Sequence, residues 1–226
     1  MKNQTTVRLS TEIVAEAAIW LAERDEAIDR VVQKHGPPPL WAREPSFKTL
    51  VHLILEQQVS LASANACFQK LLAIFEERPF EPTVFLTFSD EKLRETGFSR
   101  QKTEYARHLA SALIFQKIDL SALEKLPDEA VKTELKKLKG IGDWTADIFL
   151  SECLLRPDIL PKGDIAMLEA IKVLKNLPAR PDHDHFLAIT AHWRPWRSVG
   201  TRLLWHFYLK EIRTAATGTG SFLPEK

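Results

Sequence analysis

Two glycines separated by a single isoleucine, Gly140-Ile141-Gly142, lie between two stretches with helical periodicity, and this triplet constrains the fold more than any other feature of the chain. A connection this short predicts helix, tight hairpin, helix, over about residues 131–155. Glycine supplies backbone angles that other residues resist, which lets the turn bring its amide N–H groups close to an anion. Ile141 is expected to anchor the turn inwards. Asp143 is expected at the N-terminus of the next helix, as a cap and by its charge. Taken alone, such a triplet is also a common interhelical turn. Its setting is more distinctive. The full motif is Leu138-Lys139-Gly140-Ile141-Gly142-Asp143-Trp144-Thr145-Ala146, and after a short gap comes Leu160-Pro161-Lys162-Gly163-Asp164, which adds a lone carboxylate.

The remaining chain reads as helices broken by proline and glycine. From Ser10 to about Lys34, Ile13, Ala17, Trp20, Leu21, Ala27, Ile28 and Val31 recur at roughly helical spacing, as one amphipathic helix or a broken pair, stopped at His35-Gly36-Pro37-Pro38-Pro39. A nearly apolar helix starts at Pro45-Ser46 and reaches Glu56-Gln57-Gln58-Val59-Ser60, where Ser60 is expected to cap a helix over Leu61 to Phe75. Residues 79–88, with two prolines, read as a connector. Next come a short helix ending at Gly97, a longer one from Arg100 to Gln116, and Asp128 to Lys137 leading into the hairpin. An apolar helix over 143–155 follows, ended by Arg156-Pro157-Asp158. Asp164 then opens a helix through Leu174, residues 182–192 restart after a break at Pro178 to Pro181, and Ser198 is expected to cap the last helix. No strand pair, fixed-period repeat or low-complexity tract is visible. The expected class is all-α, with two helical lobes and a groove between them.

At 226 residues and 45% hydrophobic content, the chain can bury a substantial core. It shows no run of the ~20 apolar residues needed to cross a bilayer and no apolar leader, so the expectation is a soluble intracellular protein with no membrane association, cytoplasmic, and nucleoid-associated in a bacterium or nuclear in a eukaryote. Cys67 and Cys153, each in an apolar helical stretch, read as buried free thiols, and two cysteines cannot hold a four-thiolate cluster. The net charge is only +1, so any basic surface depends on distribution. Lys132, Lys136, Lys137 and Lys139 form one basic segment, Arg100, Lys102 and Arg107 a second, and Arg194, Arg197 and Arg202 a third. Singly, each reads as a solvated helix face; converging, they would grip phosphates.

The hairpin motif, the Pro-Lys-Gly-Asp ending at Asp164, Gln57-Gln58-Val59-Ser60 and Ser99-Arg100-Gln101-Lys102 together resemble the helix-hairpin-helix (HhH-GPD) DNA glycosylase superfamily, nearest to its 3-methyladenine DNA glycosylase II branch. The resemblance runs from about Phe47 to Lys210. It implies a two-lobed all-α fold with the active-site cleft between lobes, in a single domain over 1–226; the separate N-terminal β-containing domain of the well-known bacterial form is not expected, because the residues before Phe47 read as helix. It implies excision of alkylated bases from double-stranded DNA by a monomer that needs no cofactor. The hairpin, through Lys139, Gly140, Ile141, Gly142 and Thr145, would clamp DNA phosphates, with a non-essential monovalent cation on the Leu138 and Gly140 carbonyls. Gln58, supported by Gln57 and Ser60, would probe the duplex and fill the gap left by the flipped nucleotide.

Breaking the bond between base and sugar develops positive charge on the sugar, which a carboxylate in a water-poor pocket stabilises; Asp164 fits that need and could also orient or deprotonate water. Either role requires the ionised carboxylate. Family members that also cut the backbone carry a nucleophilic lysine where this chain has Trp144, and indole cannot form a Schiff base. The resemblance therefore implies a monofunctional enzyme. Trp144 and Trp205 would line the pocket and stack on an electron-poor base, whereas Trp193 and Trp196 read as packing residues. Ile148, Ile165 and Ala166 stand where the bacterial form presents tyrosines and a leucine, which leaves the lesion range open. Alternatives are a glycosylase for deaminated or oxidised bases, a hairpin module without catalysis, and a metal hydrolase built on His183-Asp184-His185, the last lacking a convincing ligand geometry.

Overall fold

The computed structural model describes residues 7–214, and every regular element among them is helical. In chain order the first helices are α1 (Thr11–Ala22), α2 (Glu26–His35), α3 (Phe47–Glu56), α4 (Leu61–Phe75), α5 (Pro82–Phe85) and α6 (Asp90–Thr96). Then follow α7 (Arg100–Ile114), α8 (Leu120–Leu123), α9 (Asp128–Lys136) and α10 (Asp143–Ile148). The series ends with α11 (Ile165–Leu174), α12 (His183–Ile189) and α13 (Arg197–Phe207). Helices α10 and α13 each run on into a π-type turn, Phe149–Cys153 and Tyr208–Arg213.

The described residues divide into two compact units, one of residues up to 42 with those from 155 onwards and the other of residues 43–154. In the first unit α1, α2, α11 and α13 pack together around Val14, Leu21, Ile28, Met167, Ile171, Leu203 and Leu204. Asp25 both separates and ties these helices. Its carboxylate caps α2 by accepting the Ala27 amide, and also accepts from Lys175 Nζ and the Trp193 indole N–H. Burial opposes the charge on Asp25, but these donors outweigh it and hold its pKa below the usual carboxylate value. The amphipathic stretch from Ser10 is thus a broken pair. Trp193 is a fully buried packing residue, as expected, and Trp196 packs partly buried against the same core.

In the second unit α3 packs against α4 and α7, and α9 against α10. Phe47, Phe68, Phe75, Phe80, Phe85 and Phe88 form a continuous set of ring contacts at 4.2–6.0 Å between centroids. Serines start four of its helices, with Ser46, Ser60, Ser89 and Ser99 each accepting a backbone N–H in the first turn, a contact worth about 1 kcal/mol.

Several local expectations need correction. The 79–88 connector contains α5, because proline is tolerated in a first helical turn where its missing N–H costs nothing. Ser198 does not cap α13. Trp196 precedes the helix, and the Ser198 hydroxyl instead donates to the Arg156 carbonyl at 2.6 Å and accepts the Ile159 amide at 2.9 Å, stitching the loop after residue 155 to the helix. Asp143 is the first residue of α10, not its cap; Gly142 takes that place and the Asp143 carboxylate pairs with Lys136 at 2.5 Å. Both cysteines are free, and none of the described helices is long and apolar enough to cross a membrane.

Candidate functional site

The hairpin of the second unit is built around Gly140. Its φ of +86° lies in the left-handed region, and a Cβ there would fall 2.2 Å from the Tyr105 ring, so only glycine fits. Gly142 differs. Its φ of −101° suits any residue, and open space surrounds it. Ile141 is buried and anchors the turn, its amide donating to the Leu138 carbonyl at 3.1 Å. The Gly140 and Gly142 amides take part in none of the backbone hydrogen bonds that close the turn. Among the candidate DNA contacts, Thr145 is buried and so turned away from solvent.

Thr145 is instead bonded to Gln57. Gln57 ends α3 with extended backbone, and its side-chain amide donates to the Gly140 carbonyl at 2.9 Å and to the Thr145 hydroxyl at 3.0 Å. Lys102 covers the Leu55 carbonyl of the same helix end at 2.7 Å. The next residue, Gln58, is exposed with φ +57°, flanked by exposed Val59 and Leu61 and by exposed Ser60. The two glutamines thus part company: Gln57 ties the loop to the hairpin, and Gln58 stands out on it. The two carbonyls assigned to a cation, Leu138 and Gly140, already accept the Ile141 and Gln57 donors.

The basic segments are largely neutralised within their own units. Lys132 pairs with Asp147, Lys137 with Glu134, Lys139 with Glu104, and Arg107 with Asp90. Arg194 and Arg197 share Asp158. Arg202 is fully buried and cannot face phosphate; its guanidinium donates to the Leu40 carbonyl at 2.7 Å and the Ser198 carbonyl at 3.0 Å.

Asp164 lies in the first unit, after a turn in which Gly163 takes φ +76°. It is buried to 8% exposure and caps α11, accepting the Met167 amide at 2.9 Å. The same oxygen accepts the Trp205 indole N–H at 3.2 Å. The carboxylate thus sits at the positive end of α11, with one oxygen accepting from both the Met167 amide and the Trp205 indole. Ile165, the next residue, is 64% exposed. Ile148, by contrast, is 2% exposed and buried within the second unit. Trp144 is half-buried in the first turn of α10.

Two neighbours of Trp205 have no counterpart among the residues that the sequence singles out. Trp41 meets the Trp205 ring edge-on, with centroids 6.3 Å apart at 63°, and meets His206 at 6.3 Å and 84°. Its φ is +46°, a conformation that costs a bulky residue roughly 1–2 kcal/mol. His206 is buried with its Nδ1 lacking a hydrogen-bond partner, and burial, with smaller contributions from His35 and Lys210, pushes its pKa down to about 4. Neither feature has a local sequence signal. His183-Asp184-His185 opens α12 at the surface, and among the described residues no group of three or more His, Cys, Asp or Glu side chains is arranged to hold a metal.

Residues 51–195 match the family described as HhH-GPD superfamily base excision DNA repair protein. The chain is 29% identical over 171 residues to a DNA-3-methyladenine glycosylase of Bacillus subtilis, an overlap covering 70% of this chain and 56% of the relative, so the chain spans little more than half of that protein's length. It is 27% identical to DNA-3-methyladenine glycosylase 1 of Schizosaccharomyces pombe, covering 85% of this chain and 86% of the relative. Among solved structures, the Schizosaccharomyces pombe 3-methyladenine DNA glycosylase in complex with abasic DNA superposes with a TM-score of 0.78 at 28% identity, covering 84% of this chain and 95% of that one.

Proposed function

We propose that this chain, which belongs to the HhH-GPD superfamily of base excision DNA repair proteins, is a monofunctional DNA glycosylase that removes alkylated bases of the 3-methyladenine and 7-methylguanine type from duplex DNA. The observation that carries the reading is the geometry of Asp164, a buried carboxylate at a helix N-terminus whose oxygen is fixed by the Met167 amide and the Trp205 indole. An N-alkylated purine carries positive charge and leaves as a neutral base with the electrons of the N-glycosidic bond. The sugar then bears the positive charge, which the fixed carboxylate stabilises without having to reorganise. Water adds at the sugar carbon and gives up its proton, for which Asp164 is the base at hand. The products are the free base and an abasic site.

The Schizosaccharomyces pombe relative of which 86% is covered is named DNA-3-methyladenine glycosylase 1, and the absence of lysine at Trp144 supports the monofunctional reading. Trp205, with its N–H committed to Asp164, can offer its ring face to a cationic base, an attraction of ~0.5–2 kcal/mol. The hairpin around Gly140 serves as the phosphate clamp and Gln58 as the side chain that enters the duplex. The protein works as a monomer on double-stranded DNA and needs no cofactor. Incubation with methylated duplex DNA and chromatography of the released bases tests the reading: 3-methyladenine or 7-methylguanine is the expected product. Release of only hypoxanthine or an oxidised purine would replace the lesion class. Tight duplex binding with no released base of any kind would replace the enzyme with a binding module.

A further inference from the structure

We infer that Trp41, which lies with Trp205 outside the residues matched to the family, is a positioning residue for base selection: it braces the Trp205 indole so that one ring both holds Asp164 and presents a fixed face to a cationic base. This rests on the function proposed above and deepens it.

Three observations converge on Trp41. The first is its backbone. A residue as bulky as tryptophan rarely takes φ +46°, and conformations of this kind persist where surrounding contacts over-determine them. The second is the contact that over-determines it. The preceding carbonyl, Leu40, accepts from the fully buried guanidinium of Arg202, which is also bonded to Ser198 on α13, the helix that carries Trp205. The loop and the helix are thereby clamped together within the same unit. The third is the ring geometry. Trp41 stands at 63° to Trp205 and at 84° to His206, both at 6.3 Å, so it touches two consecutive residues of α13 by edge-on contacts, an arrangement that aromatic quadrupoles favour.

An ordinary packing tryptophan looks different in this protein. Trp193 is sealed from solvent, sits on regular backbone and gives its N–H to a buried carboxylate. Trp41 is only partly buried and contacts the very residue that bonds Asp164. If the brace is lost, the Trp205 ring can turn about its side-chain torsions. It then loses its N–H bond to Asp164 and the fixed plane on which a base would stack. The imidazole beside Trp41 stays uncharged at neutral pH, so no positive charge at His206 opposes a cationic base there.

The test is single-turnover excision of 7-methylguanine, which is cationic, and hypoxanthine, which is neutral, by wild type, Trp41→Ala, Trp41→Phe, Trp205→Ala and the Trp41→Ala/Trp205→Ala pair. Trp41→Ala should slow the cationic base by about tenfold and the neutral one by about threefold or less, because cation–π attraction is lost only for the former. Trp41→Phe should stay within about threefold of wild type and shows that the fold survives. On a Trp205→Ala background, Trp41→Ala should add less than about twofold, as expected for residues acting through one contact. Equal losses on both bases, or losses that multiply in the double variant, would overturn the inference while leaving the enzyme assignment intact. If hypoxanthine is not released at all, the double variant on 7-methylguanine decides alone. Absence of release by wild type from every substrate would overturn the proposed function and this inference with it.

Discussion

Replacing Gly140 with alanine should unlatch the hairpin, whereas the same change two residues later should leave the fold intact. At Gly140 two costs add. A left-handed backbone with a Cβ costs roughly 1–2 kcal/mol. The new methyl would also sit 2.2 Å from Cγ and Cδ2 of Tyr105, far inside contact distance, and displacing a packed ring costs about 1–3 kcal/mol. The sum, roughly 2–5 kcal/mol, is a large share of the stability of an ordinary domain. Gly142→Ala meets nothing within 4 Å at an ordinary φ, and restricting the unfolded chain should stabilise the protein by ~0.4–1 kcal/mol. Guanidinium denaturation followed by far-ultraviolet circular dichroism measures both. A Tyr105→Ala background should restore the overlap part of the Gly140→Ala loss and leave only the backbone part. Equal midpoints for the two glycine variants, or no rescue by Tyr105→Ala, would refute this reasoning. Duplex affinity adds a second contrast: if the Gly142 amide approaches a phosphate, its added methyl weakens DNA binding without weakening the fold.

Two further outcomes follow from single side chains. Gln57→Met removes the donor shared by the Gly140 carbonyl and the Thr145 hydroxyl, so stability should fall by about 1–2 kcal/mol and hydrogen exchange should accelerate over residues 138–145; unchanged exchange there would mean that Gln57 does not latch the hairpin. His206 is neutral in the folded protein down to about pH 4 but takes up a proton in the unfolded chain from about its ordinary value of 6.5, so proton uptake favours unfolding and stability declines as pH falls from 6.5 towards 4. In His206→Phe this decline should be smaller than in wild type; His52, whose pKa burial also lowers, and the carboxylates held below their usual values, Asp25 and Glu211, add losses of the same sign in both proteins. Identical pH profiles of the denaturation midpoint would remove His206 from that account.

Features encoded by neighbouring residues are legible in the amino-acid sequence itself. Gly140 and Gly163 mark left-handed turns, Ser60 and Asp164 mark helix starts, and the apolar spacing from Phe47 to Leu55 marks a core helix, because each depends on backbone sterics or periodicity within a few residues. Contacts between distant segments are not legible in this way. The Gln57 bond to residues 83 and 88 positions away and the Arg202 bond to Leu40 exist only after folding, so Arg202 reads as a surface charge in the sequence and proves to be sealed in the core. Ile148 and Thr145, three residues apart, share the inward face of α10, which a motif comparison does not reveal. Trp41 is the extreme case, since no local pattern signals a bulky residue in left-handed backbone.

The central claim is that one fixed carboxylate, Asp164, drives departure of the base. Asp164→Asn tests it most directly, because asparagine keeps the side-chain oxygen that accepts from Met167 and Trp205 and so retains the cap while removing the charge. Single-turnover release of 3-methyladenine or 7-methylguanine from duplex DNA should fall by about 10²–10³-fold or more, with affinity for the duplex within a few-fold of wild type. Release within about tenfold of wild type would contradict the account and move the chemistry away from Asp164.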